Sequence, residues 1–254
     1  MTPAPVPELV PDLVLGVPTG AFVVIVLVVL LGAVLQSLVG LGLNLASAPI
    51  ITLLEPSLVP VLPLVLAVIL PAATLAHERA GVDWRGLGWV MPERVPGSVL
   101  GVLLLGWFST RSLGIAVGVM VLVAVVLTLR AVEVRPTRGA LATAGFVSGV
   151  AGTTTSIGGP PVALLYQHRD PQEIRSTLAV FFTLGALISL VAIGLGGDLA
   201  WHAVVVGVVL TPVLFLGAQV GVRLRGVLPD RATRYAVLAI CAASALVLLV
   251  RSLV

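Results

Sequence analysis

Apolar residues in this chain come in long unbroken runs, and polar residues gather in the short gaps between them. Eight hydrophobic segments stand out, at 20–54, 58–77, 91–108, 111–130, 139–167, 174–197, 199–222 and 231–250. A helix rises 1.5 Å per residue and the hydrocarbon core is roughly 30 Å thick, so about 20 apolar residues cross it. Continuous runs of that length predict an all-α polytopic membrane protein, and their lack of alternation excludes a β-barrel. The gaps carry end signals. Asp170-Pro171-Gln172-Glu173 reads as a cap, a first-turn proline and a capping-box glutamate before the sixth segment. Asp198 and Asp230 are expected to cap the last two segments, and Ser109 or Thr110 the fourth. The stretch ERAGVDWRGLGWVMPER at 78–94 reads as an interfacial loop, with room for a short amphipathic helix on the headgroups.

The first and fifth segments differ from the others because each is interrupted. The interruptions are VGLGLNLASAP at 39–49 and AGTTTSIGGPP at 151–161. A helix does not run comfortably through Gly158-Gly159-Pro160-Pro161, since proline lacks the amide donor and clashes with the preceding turn. Non-helical backbone at membrane depth survives only when buried in protein or lining a wet cavity, so both breaks are expected to point inward. They also read as copies of one design. At an offset of 112, Gly40 falls on Gly152, Asn44 on Ser156, Pro49 on Pro161, and Leu66-Ala67-Val68 on Leu178-Ala179-Val180. Further on the offset becomes 120, where Gly97 and Gly101 meet Gly217 and Gly221, and Arg111 meets Arg231. The chain therefore divides into two transmembrane repeats, 1–130 and 131–254.

Arginine positions bear on how the repeats face. If all eight segments cross fully, the arginines split 7 against 7. If segments one and five are hairpins that return to the side they started from, twelve share one face and only Arg111 and Arg251 lie opposite. The positive-inside rule prefers the second arrangement, in which the halves are inverted copies with both termini outside.

Composition narrows the function classes. The chain is 59% hydrophobic and 10% charged, with mean hydropathy +1.19, too little polar surface for a water-soluble domain. Its net charge of +3 comes entirely from arginines placed at segment ends, not from the clustered basic face that nucleic acid needs. The first twelve residues carry no Lys or Arg, so the first apolar segment is expected to be retained rather than cleaved. The single cysteine, Cys241, sits in an apolar run and reads as packing, and His77, His168 and His202 are too scattered for a metal site. No cofactor or metal is indicated. Ser148 and Ser156 have no His, Asp or Lys in their segments, which argues against a membrane enzyme.

In inverted-repeat transporters, substrate sits near the midplane between broken helices whose half-helix N-termini present free amides and a positive dipole end. Here each break precedes a proline, Pro49 or Pro160-Pro161, expected to start a short helix. Just before these starts lie Asn44 and Ser47 in one half, and Thr153, Thr154, Thr155 and Ser156 in the other. Their side chains are expected to cap the helices or bind ligand oxygens, making a site for a small oxyanion. No charged residue is expected in the middle of a long span. Glu55 and the histidines fall at segment ends, and Arg175 stands where it can guide an anion inward. Gly97/Gly101 and Gly217/Gly221 read as packing motifs, and glycine-rich outer faces permit a homodimer.

The tandem breaks, above all GFVSGVAGTTTSIGGPPVALL at 145–165, resemble the sulfite exporter TauE/SafE family, as does Arg175-Ser176-Thr177 after the second motif. The resemblance implies a multi-pass inner-membrane protein transporting sulfite or a related organosulfur anion. It also implies a site at Gly40, Gly42, Asn44 and Pro49 with Gly152, Ser156, Gly158, Gly159 and Pro161. Uptake of an organic sulfonate is the competing reading, because a symmetric site does not record direction.

Overall fold

The computed structural model describes residues 13–40, 42–77, 81–130, 135–224 and 230–253, and these form eleven α-helices behind a two-residue-stranded hairpin at Leu13–Pro18. The first interrupted segment becomes α1 (Thr19–Val39) and α2 (Leu43–Leu54). Then come α3 (Val61–His77), α4 (Trp84–Leu105) and α5 (Thr110–Arg130). The second half runs α6 (Arg138–Thr155), α7 (Gly159–Tyr166), α8 (Pro171–Gly196), α9 (Trp201–Val209), α10 (Thr211–Leu224) and α11 (Asp230–Leu253). Four helices, α1, α5, α8 and α11, are long and apolar enough to cross a bilayer, and α9 with α10 passes the same test as a pair bent by 47° at its break. Exposed side chains such as Leu103, Val191 and Val250 are large and apolar, as a lipid-facing surface requires. Trp84 and Trp201 open helices and Trp107 follows one, all well exposed, which is where aromatic rings meet the headgroups. The protein is a multi-pass membrane protein.

Several local signals act as read. Asp170 accepts a hydrogen bond from the Gln172 amide at 2.8 Å, and Ser109 accepts one from Ser112 N at 3.2 Å. Glu173 pairs instead with Arg169 at 3.4 Å. Asp198 does not cap α9: its N-cap is Ala200, with no side-chain bond. Asp230 opens α11, and its side chain lies outside the described residues. The stretch 84–94 is not an interfacial loop. Asp83 caps α4 by accepting from Gly86 N at 2.8 Å, so the helix starts at Trp84 and runs on through Pro92 and Pro96.

Helices pair across the halves. α1 packs on α10, α6 on α4, α3 on α8 and α5 on α11. Glycines make the first two pairings close. A Cβ at Gly217 would stand 2.5 Å from the Leu30 carbonyl, and one at Gly221 2.6 Å from that of Val34. On the other side, Gly97 abuts the Phe146 carbonyl and Gly101 stands against Val150 and Thr153. These GxxxG faces are consumed within the protomer, leaving none of the four glycines for a dimer contact. Gly145 lies so near the Val90 carbonyl that any side chain would overlap backbone. Gly145→Val is therefore expected to lower the Tm of the detergent-solubilised protein by at least about 5 °C. Gly88→Ala, with nothing within 4 Å of its Cβ, should leave Tm unchanged.

Candidate functional site

The first break is a glycine turn. Gly40 ends α1 in the left-handed conformation (φ +81°), its amide bonded to the Gln36 carbonyl at 2.8 Å. Gly42 has φ +153°, which only glycine adopts readily. Leu41 lies outside the described residues. Gln36 spans the turn: its Nε2 donates to Gly40 O at 3.1 Å and its Oε1 accepts from Leu43 N at 3.2 Å. This turn completes the reversal by residue 42, so α2 begins at Leu43 rather than at Pro49. Pro49 sits buried inside α2, correcting the expectation that it starts the half-helix.

In the second break, Ser156 takes the left-handed position (φ +62°) after α6, and α7 begins at Gly159 with Pro160 in its first turn. Thr155 Oγ1 accepts the Ile157 amide at 3.3 Å, and Ser156 Oγ donates to Thr155 O. Gly40 and Ser156 thus occupy the same structural role, as do Leu43 and Gly159, which sets the register at the breaks to 116 rather than 112. The later offset of 112 follows because α7 has 8 residues where α2 has 12.

The two breaks meet. Asn44 Nδ2 donates to Ser156 O at 2.8 Å, joining residues 112 apart in sequence. Around this bond lies a cavity of about 30 Å³, lined by Gln36, Gly42, Asn44, Leu45, Ser156, Ile157, Gly159 and Pro160, with Ala67, Pro71 and Phe182 from α3 and α8. Asn44 Oδ1 is buried without a hydrogen-bond partner. The first amides of a helix have no intrahelical acceptor, so α2 and α7 bring their positive ends to this cavity.

Of the residues singled out from sequence, Gly42, Asn44, Ser156 and Gly159 line the cavity. Gly40 stands beside Arg175, whose Cγ would lie 3.4 Å from a Cβ there. The remaining hydroxyls turn to protein. Ser47 Oγ donates to Leu43 O at 2.6 Å, Thr153 Oγ1 to Ser189 Oγ at 2.8 Å, Thr154 Oγ1 to Val150 O at 2.9 Å and Thr155 Oγ1 to Ala151 O at 2.8 Å. Pro161 follows Pro160 in α7. Gly152 and Gly158 lie against a group not foreseen from sequence.

That group is Arg94. It lies midway along α4 and is 3% exposed, so a charge expected at a segment end is instead buried inside the protein. Its guanidinium lies 4.6 Å from the Phe181 ring centroid and fills the space that side chains at Gly152, Gly158 and Gly185 would need. Gln36 was likewise missed. The available signal was alignment: the offset of 120 that pairs Gly97 with Gly217 sets Arg94 opposite the buried Leu214, an interior position.

Two surface depressions mark the ends of the bundle. One gathers Asp83, Arg85 and Trp89 with Arg138, at the start of α6, and Arg169 and Glu173, after α7. There Arg138 lies over the Trp89 ring at 5.1 Å, and Tyr166 Oη donates to Asp83 at 3.0 Å. The other gathers Thr52 and Pro56 at the end of α2 with Arg111 and Arg251. Arg79 lies outside the described residues.

The family model described as Sulfite exporter TauE/SafE matches residues 14–248, nearly the whole chain. No curated protein and no solved structure shows significant similarity to it.

Proposed function

The chain belongs to the sulfite exporter TauE/SafE family, and on that premise we propose that it carries a small sulfur-containing oxyanion, sulfite-like or an organosulfonate, outward across the inner membrane through the junction of its two broken helices. The observation carrying this reading is the Asn44–Ser156 bond, which brings both half-helix starts to one interior cavity. Amide dipoles there favour an oxyanion over a neutral or cationic solute. In this reading the cavity groups of Gly42, Asn44, Ser156 and Gly159 contact the anion. Ser47 and Thr153 to Thr155 hold the helix ends that shape the pocket, and Arg175 guides the anion past Gly40.

The halves 1–130 and 131–254 act as inverted repeats. The cross-half pairing of helices supports that assignment, as does the separation of Arg85, Arg138 and Arg169 from Arg111 and Arg251. Alternating access then comes from one repeat rocking against the other around the cavity.

Among the described residues, no acid or histidine stands buried beside the cavity to carry a proton. Outward flux is then driven by the membrane potential, about 2.3 kcal/mol per charge per 100 mV, roughly a 50-fold gradient. Sulfite-loaded proteoliposomes are expected to lose anion faster as the interior is made more negative with a potassium diffusion potential. Efflux that ignores the potential and follows a pH gradient overturns this drive, and absence of any protein-dependent sulfite or sulfonate flux overturns the transport reading. Saturable sulfonate uptake without sulfite movement establishes the competing permease.

A further inference from the structure

Arg94 sets an electrostatic problem that the fold leaves open. Burying a guanidinium away from water costs several kcal/mol unless a negative partner and hydrogen bonds compensate. Its Nε and Nη1 are both buried without a hydrogen-bond partner, and no carboxylate among the described residues pairs with it. The Phe181 face offers a cation–π contact at 4.6 Å and satisfies no N–H. The same interior holds two further orphan groups. Ser98 is one helical turn along α4 from Arg94, on the same face, and Ser148 lies on the facing helix α6, with its carbonyl 2.6 Å from where a Gly158 Cβ would stand. Both hydroxyls are fully buried and unpartnered. Glycine at 152, 158 and 185 makes room for the guanidinium itself, and Leu214 at the corresponding position of the other half shows that packing alone asks for no cation.

We infer that Arg94, with the hydroxyls of Ser98 and Ser148, is a charge-bearing oxyanion subsite behind Gly158, adjoining the break cavity. The ligand class is a compact oxyanion, with one oxygen on the guanidinium edge and others within reach of a hydroxyl. The position matching Arg94 in the other half holds Leu214, so the site between α4 and α6 has no symmetric counterpart, and a neutral solute of the same shape is rejected because it leaves the guanidinium uncompensated. That this anion is the transported one rests on the function proposed above.

The experiment measures sulfite, sulfate and phosphate binding to the full chain in detergent by isothermal titration, with thermal stabilisation as a second readout, for wild type, Arg94→Lys, Arg94→Met and Ser98→Ala. Loss of at least about 30-fold in affinity is expected for Arg94→Met, with partial retention for Arg94→Lys, since removing one partner of a buried charge pair has effects of that order. Ser98→Ala removes one neutral donor, so a loss of about 3- to 10-fold is expected. Should Arg94→Met fail to fold, the comparison of Arg94→Lys and Ser98→Ala with wild type still decides. Affinities within 3-fold of wild type across the folded variants overturn the subsite, even where wild type transports sulfite. Wild type that binds sulfate or phosphate but moves no sulfur anion overturns the transport reading, and the subsite stands if that binding falls in the Arg94 variants. Wild type that binds none of the three overturns the subsite.

Discussion

Replacing Asn44 with leucine is expected to reduce anion flux by at least about 30-fold while leaving the helical fold intact. The side chain does two things at once. It donates to Ser156 O at 2.8 Å, and its own Oδ1 remains buried and unpartnered beside the cavity. Leucine removes the bond between the breaks, leaves the Ser156 carbonyl without that donor, and fills with hydrocarbon a cavity of only about 30 Å³. Each unsatisfied buried polar group costs about 1–3 kcal/mol, and the loss falls on the ligand-holding state. Two companions separate chemistry from shape. Asn44→Asp keeps the size but places a negative charge where an anion is expected, so anion affinity should fall further than its near-identical volume suggests. Ser156→Gly loses only a hydroxyl that donates to Thr155 O and keeps the accepting carbonyl and the amide at a position of φ +62°, so flux should persist. Flux assayed in proteoliposomes, with helicity followed by circular dichroism, reads all three. Asn44→Leu that transports at the wild-type rate removes the break junction as the route.

What sequence revealed here followed from how strongly each feature departs from a uniform apolar helix. The breaks were plain, because Gly158-Gly159-Pro160-Pro161 cannot continue a helix and the glycine turn at 40–42 stands out in a Leu/Val background. Their meeting was expected from the duplication. The start of the first half-helix was misplaced at Pro49 because proline is a strong first-turn signal. The true determinant is backbone geometry at Gly40 and Gly42, which composition does not display. The partners of the hydroxyls were not legible for a related reason: a Ser or Thr in a membrane helix can donate to the preceding turn, as Ser47 and Thr155 do. Arg94 was lost because Trp84, Trp89, Pro92 and Glu93 around it carry every mark of an interfacial loop. Alignment with Leu214 places an apolar residue opposite it, and contact with Gly152, Gly158 and Gly185, far away in the chain, shows that the arginine points inward.

The topology admits an all-or-none test. In a Cys241→Ala background, Arg135→Cys and Arg169→Cys are expected to react with a membrane-impermeant maleimide from the same side, and Ser252→Cys only from the other. Residues 135 and 169 bracket α6 and α7. A single crossing through both would separate them by the sum of the helix lengths, roughly 27 Å and 12 Å, more than a bilayer core. The fold instead returns α7 to where α6 began, since Arg138 and Arg169 share one depression with Asp83. Ser252 lies in the other depression with Arg111 and Thr52, the latter near the end of α2. In the proposed topology a hairpin in each half leaves an odd number of crossings per half, and an odd number turns the second repeat upside down relative to the first. Inversion of that kind would let two copies of one broken helix point their N-termini at a common cavity from opposite directions. Labelling of 135 and 169 from opposite sides would break that chain at its first link, leaving the two half-helices parallel and the anion site without its second dipole.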